Sequence, residues 1–113
     1  MAARYVPDRG DIVWVDFDPQ AGHEQAGRRP ALILSPQSYN QKVGLVLLCP
    51  ITNHRKGYPF EVPLPKSLTV TGVVLADQVK SMDWHARRAE FCCKVPVATV
   101  LDAIGKAQSL LAV

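Results

Sequence analysis

Apolar runs in this chain are short, and Gly or Pro interrupts or bounds most of them. "DIVWVDF" (11–17) follows Gly10, "PALILS" (30–35) opens on a Pro, and "FEVPL" (60–64) carries Pro63. β-branched and aromatic residues dominate these runs, a composition that suits pleated strands. "LVLLCPI" (45–51) is apolar without alternation and reads as a strand buried on both faces. "FEVPL" is expected at a sheet edge, because Pro63 cannot donate to a ladder. "TGVVLADQVKSMD" (71–83) begins as a strand after Gly72, and "RAEFCCKV" (88–95) reads as the last strand. Tyr39 and Asn40 read as a turn.

Only the C-terminus carries a helical period. In "PVATVLDAIGKAQSLLAV", Val97, Val100, Leu101, Ile104 and Leu111 fall on one stripe, and Pro96 suits a first helical turn. Gly105 costs about 1 kcal/mol against Ala there, so the helix depends on tertiary packing. Short strands followed by a terminal helix predict a mainly β fold, a strongly curved sheet or small barrel, as one domain over residues 1–113.

At 113 residues with 48% hydrophobic and 20% charged residues, the chain is globular, and a net charge of +3 alone does not identify a nucleic-acid partner. Cys49, Cys92 and Cys93 show no CxxC or His/Cys spacing, which argues against a disulfide framework or a metal site and for a reducing cytoplasm. "MAARYVPDRGD" has no signal-like apolar core, and "VGLVLLCPI" (43–51) is too short to span a bilayer. No membrane association is expected.

Polar side chains collect at the joints of this scheme. His23, Glu24, Gln25, Arg28 and Arg29 lie between the first two strands. "TNHRKGYPF" (52–60) follows the third, "ADQVKS" (76–81) interrupts an apolar strand, and "DWHARR" (83–88) precedes the last. Solvated loops account for many such residues. Asp77 is harder to explain that way, because a carboxylate inside an apolar strand must be paired or hydrogen-bonded.

These segments carry a resemblance. "RGDIVWVDFDP…GHEQAGRRPALILSP…N", "PIT…KGYPFEV" and "GVVLADQVKSMDWHAR", in this order and at compatible spacing, resemble the MazF/PemK/Kid toxins of toxin–antitoxin systems. The resemblance runs from about Tyr5 to the C-terminal helix. It implies an SH3-like curved β-barrel with a C-terminal helix, a homodimer, and a sequence-specific, metal-independent, cofactor-free endoribonuclease acting on single-stranded RNA, chiefly mRNA. It also implies a MazE-like antitoxin whose extended acidic tail blocks the site, in a complex that binds operator DNA through the antitoxin. Two other functions stay open: a CcdB-like toxin that inhibits DNA gyrase without nuclease activity, and a non-catalytic RNA-binding module. Cleavage of naked RNA discriminates them.

RNA cleavage without metal uses the ribose 2′-OH as nucleophile, leaving a 2′,3′-cyclic phosphate and a 5′-OH. It requires a base, donors for the phosphoryl oxygens, and an acid for the leaving oxygen. By resemblance, Arg29 in "RRP" matches the family's catalytic Arg and Thr52 in "PIT" its phosphate-stabilising Thr. Glu24 and Gln25 match polar residues of a loop beside the site, and His23 matches a His of the Kid branch. Asp77 matches the Asp proposed as base in Kid. The Kid branch has an Arg two positions before that Asp, where this chain has Leu75, so the acid role falls to Arg29 by default. The base remains open among Asp77, Glu24 and His23. Arg28, Asn53, Lys56, Gln78 and Lys80 are candidate contacts to bases or phosphates, and Tyr58, Phe60 and Trp84 are candidate stacking surfaces.

Overall fold

Alternation along the first strand divides the interior in two. The computed structural model describes residues 4–17 and 27–112. The calls on His23, Glu24 and Gln25 therefore lie outside the described residues. β1 (Asp11–Asp16) pairs antiparallel with β2 (Arg28–Ile33), with Ile12 opposite Leu32 and Val13 opposite Ala31. Ile12 and Leu32 enter one core with Cys49, Ile51 and Val74, while Val13, Val15, Phe17, Ala31 and Ile33 enter another with Val46, Leu48 and Met82. A period-two sequence buried on both faces produces this result.

β3 (Leu45–Thr52) is the hub of the sheet. One edge pairs with β2; the other is shared between β6 (Lys80–Asp83), against Leu45–Leu48, and β5 (Val73–Leu75), against Ile51 and Thr52. Two partners along one edge oblige the sheet to bend. β4 (Glu61–Pro63) lies beyond β5 and β7 (Glu90–Lys94) beyond β1, giving the order β4-β5-β3-β2-β1-β7. β4 is thus an edge strand, as Pro63 requires. α2 (Val97–Ser109) covers the first core through Val100 and Ala103.

Five expectations are corrected. The segment 71–83 is two strands, with a turn closed by the Gln78 N–H donating to the Leu75 carbonyl at 3.0 Å. Asp77 sits in that turn and is exposed, so no buried partner is needed. The buried face of α2 is Thr99, Val100, Ala103 and Ala107, whereas Val97 and Leu101 are 72% and 62% exposed and Leu111 lies beyond the helix end. Val100, Ala103, Ile104 and Ala107 form the inward stripe at helical spacing, with Ile104 partly buried against the first core. Finally, Tyr39 and Asn40 belong to a short helix, α1 (Gln37–Val43). Asn40 is fully buried; its Nδ2 donates to the Pro7 and Ser35 carbonyls, and its Oδ1 accepts from Ser35 Oγ. That network is non-local, so local patterning could not reveal the helix. Trp84 belongs to the second core and donates its indole N–H to the Asn40 carbonyl at 2.8 Å, which removes it as a stacking surface.

Candidate active site

The ladder between β2 and β3 sets the centre of the site. Ala31 pairs with Pro50 and Leu32 with Cys49. Arg29 of β2 and Thr52 of β3 each lie two residues beyond the Ala31–Pro50 pair, past the last paired residues of this ladder. Both line a cavity of about 450 Å³, closed on one side by Trp14 and Pro30, on another by Asn53 and His54, and on a third by Thr69–Thr71. A volume of this size suits a small ligand or one nucleotide unit.

Glycine brings the third wall close. Gly72 has φ +115°, and a Cβ there would lie 2.3 Å from the Thr52 carbonyl oxygen. Only a residue without a side chain permits this approach. Thr52 is buried, and its Oγ1 accepts the His54 backbone N–H at 3.1 Å. The hydroxyl proton of Thr52 remains available for an acceptor in the cavity.

The neighbouring Arg28 is engaged differently. Its guanidinium meets Asp16 at 3.0 Å, Glu90 at 3.0 Å and the Arg88 carbonyl at 2.8 Å. Arg88, with a left-handed φ of 54°, donates from Nε to Asp16 at 2.8 Å. Hydrogen bonds from Arg88 and then Arg28 hold the Asp16 carboxyl below the usual carboxylate range. The Phe17 N–H donates to the Gly27 carbonyl at 2.8 Å, so the two described residues flanking 18–26 are joined directly beside Arg28 and Arg29.

Other candidates lie apart from this cavity. Asp77 lines a second one of about 590 Å³ with Leu47, Val79, Leu110 and Leu111. Lys56 and Tyr58 belong to the segment after β3, which is organised by Glu61: its carboxylate accepts the Lys56 and Gly57 backbone N–H groups at 2.8 and 2.9 Å. Burial, then the Asp77 and Glu61 charges, push the Tyr58 phenol up. Gln78 is half-buried in the turn beside Asp77, and Lys80 lies 6.0 Å from the Phe17 ring centroid. The structure thus brings Arg28, Arg29, Thr52 and Asn53 together and separates Asp77 from them. A third cavity, about 300 Å³ and lined by Arg55 and Lys66, shares Asn53 and Thr71 with the first. Thr71 donates to the Asn53 Oδ1 at 3.0 Å on this shared wall.

Sequence reasoning overlooked Trp14, His54, Thr69 and Thr71. Trp14 alternates with the buried Val13 and Val15 and is 37% exposed, so strand alternation was the available signal. Thr69 and Thr71 enter only through the Gly72 approach. Among the described residues no group of His, Cys, Asp and Glu is placed to hold a metal ion.

Fold and site together define a small, mainly β protein with a cationic, hydroxyl-lined cleft. Residues 8–110 match the family of PemK-like, MazF-like toxins of type II toxin–antitoxin systems, and the chain belongs to that family. It is 60% identical over 89 residues to the endoribonuclease toxin MazF of Escherichia coli K12, covering 79% of each chain. MazF from Deinococcus radiodurans superposes with a TM-score of 0.92 at 56% identity, covering 96% of this chain and 98% of that one. A MazE–MazF complex from the same organism matches at TM-score 0.86 and 50% identity, covering 96% and 97%.

Proposed function

We propose that this chain cuts single-stranded RNA in the Arg29–Thr52 cleft, without metal, by attack of the ribose 2′-OH on the adjacent phosphate. It is an endoribonuclease and the toxin of a type II toxin–antitoxin pair. The observation that carries the mechanism is the convergence of Arg29 and Thr52 on one cavity. A guanidinium offers a fixed fork of donors to the phosphoryl oxygens, and the Thr52 hydroxyl adds one more as negative charge develops. The base is supplied from Glu24 or His23, five and six positions before Arg29 in the chain. Asp77 fits the role poorly, since it lines a different cavity.

RNA enters past Trp14, whose exposed ring offers a face for base stacking, and leaves over the Asn53–Thr71 wall toward Arg55 and Lys66. The inhibiting partner is an antitoxin whose extended acidic segment occupies the same surface, its carboxylates standing where phosphates bind. The toxin acts as a homodimer.

The test is incubation with a long single-stranded RNA in excess chelator, with both new ends mapped. Ends bearing 2′,3′-cyclic phosphate and 5′-OH are expected, and a single 2′-deoxy nucleotide 5′ of the cut should abolish cleavage there. Products with a 3′-OH, or a requirement for magnesium, overturn the mechanism.

A further inference from the structure

During cleavage the 5′ oxygen must leave with a proton. A guanidinium is a poor source, because it holds its proton too tightly to give it up. We propose that His54 is the general acid that protonates this departing oxygen, a role that rests on the ribonuclease reading above.

His54 lines the cavity that holds Arg29 and Thr52. Its backbone is tied to the site: the His54 N–H donates to the Thr52 Oγ1 at 3.1 Å. Every other described side chain around the cavity is a guanidinium, hydroxyl, amide, indole or hydrocarbon. Imidazole is the side chain whose ordinary charge change falls between about pH 5 and 8. His54 is also exposed, so it can regain a proton from solvent after each turnover. Among the described residues the charged groups of the cavity wall are Arg28 and Arg29 of β2, and Arg28 is met by Asp16 and Glu90. β1 contributes Trp14, and the 69–71 segment only two hydroxyls and Val70.

The step balances. The base takes the 2′-OH proton and the 2′ oxygen bonds to phosphorus. The bond from phosphorus to the 5′ oxygen breaks, and the His54 imidazolium gives that oxygen its proton. The products are the cyclic phosphate, a free 5′-OH and a neutral imidazole.

The experiment is single-turnover cleavage by wild type and His54→Gln on two RNAs, one normal and one with sulfur replacing the 5′-bridging oxygen at the cut. A thiolate leaves without needing a proton. On normal RNA, His54→Gln should be slower by about 10²-fold or more, with KM unchanged and without the wild type's fall in rate at high pH. On the sulfur-bridged RNA the variant should approach the wild-type rate. Equal losses on both substrates would show a structural role, and no loss on normal RNA would show none; either overturns the proposal. If the wild type itself leaves no cyclic phosphate, the ribonuclease mechanism fails instead.

Discussion

Arg28 and Asp16 stand opposite each other at the end of the β1–β2 ladder and close a guanidinium–carboxylate contact of 3.0 Å. The adjacent Arg29 stands opposite Val15 and lines the cavity. Two neighbouring arginines thus have different work. Arg28→Ala should lower the melting temperature by a few degrees and slow single-turnover cleavage less than tenfold, because its charge is already answered by Asp16 and Glu90. Arg29→Ala should keep its circular dichroism and lose about 10²–10³-fold in rate, as for removal of a preorganised donor. A more damaging Arg28→Ala would reverse the assignment within the pair.

The same contact sets a pH dependence. Asp16 is held below its unfolded range by Arg88 and Arg28. Its stabilising contribution is therefore full above about pH 4 and is lost as pH falls through the lower folded value. Asp16→Asn should melt below the wild type at pH 7, and the gap should narrow in thermal scans toward pH 3. A gap that stays constant with pH would assign the loss to packing.

Gly72→Ala should damage fold and site together. Its Cβ would sit 2.3 Å from the Thr52 carbonyl oxygen at a φ of +115°. A cost of about 2–3 kcal/mol is expected in urea unfolding, with a fall in cleavage rate as Thr52 is displaced. Full stability in this variant would mean that the 69–72 segment can move away from β3.

Arg55 and Lys66 should contribute binding without chemistry. For single strands, log affinity falls with log salt by about 0.7 per phosphate neutralised. The double alanine variant should lose about 0.7 of slope for each of its two contacts, raise KM and leave the single-turnover rate constant within twofold. An unchanged slope would remove RNA from the third cavity.

The apolar surface beside Asp77 should be the seam of the homodimer. Leu47 and Val79 are each 40% exposed and Leu111 80%, around one cavity. A two-fold interface is the commonest way to bury such a patch. Val79→Asp should run as a monomer in light scattering at micromolar concentration where the wild type runs as a dimer. A wild-type monomer refutes the homodimer, and a variant that still dimerises places its seam elsewhere.

Local chemistry was enough for most of the architecture. Strand alternation, Pro63 at an edge and the helix after Pro96 can all be read from neighbours in the chain, because each depends on backbone preferences within a few residues. The motifs singled out Arg29 and Thr52, and the fold sets both on one cavity. What tertiary structure decided depends on groups distant in sequence. Asn40 of α1 is buried against the Pro7 carbonyl, 33 positions away in the chain. The buried face of α2, Val100, Ala103, Ile104 and Ala107, keeps a helical period, but the larger Val97 and Leu101 drew the expected stripe to the wrong side. Asp77 was separated from Arg29 by the turn that splits β5 from β6. Trp14, His54 and the Thr69–Thr71 wall meet at one cavity because three chain crossings converge there, and only the folded geometry brings them together.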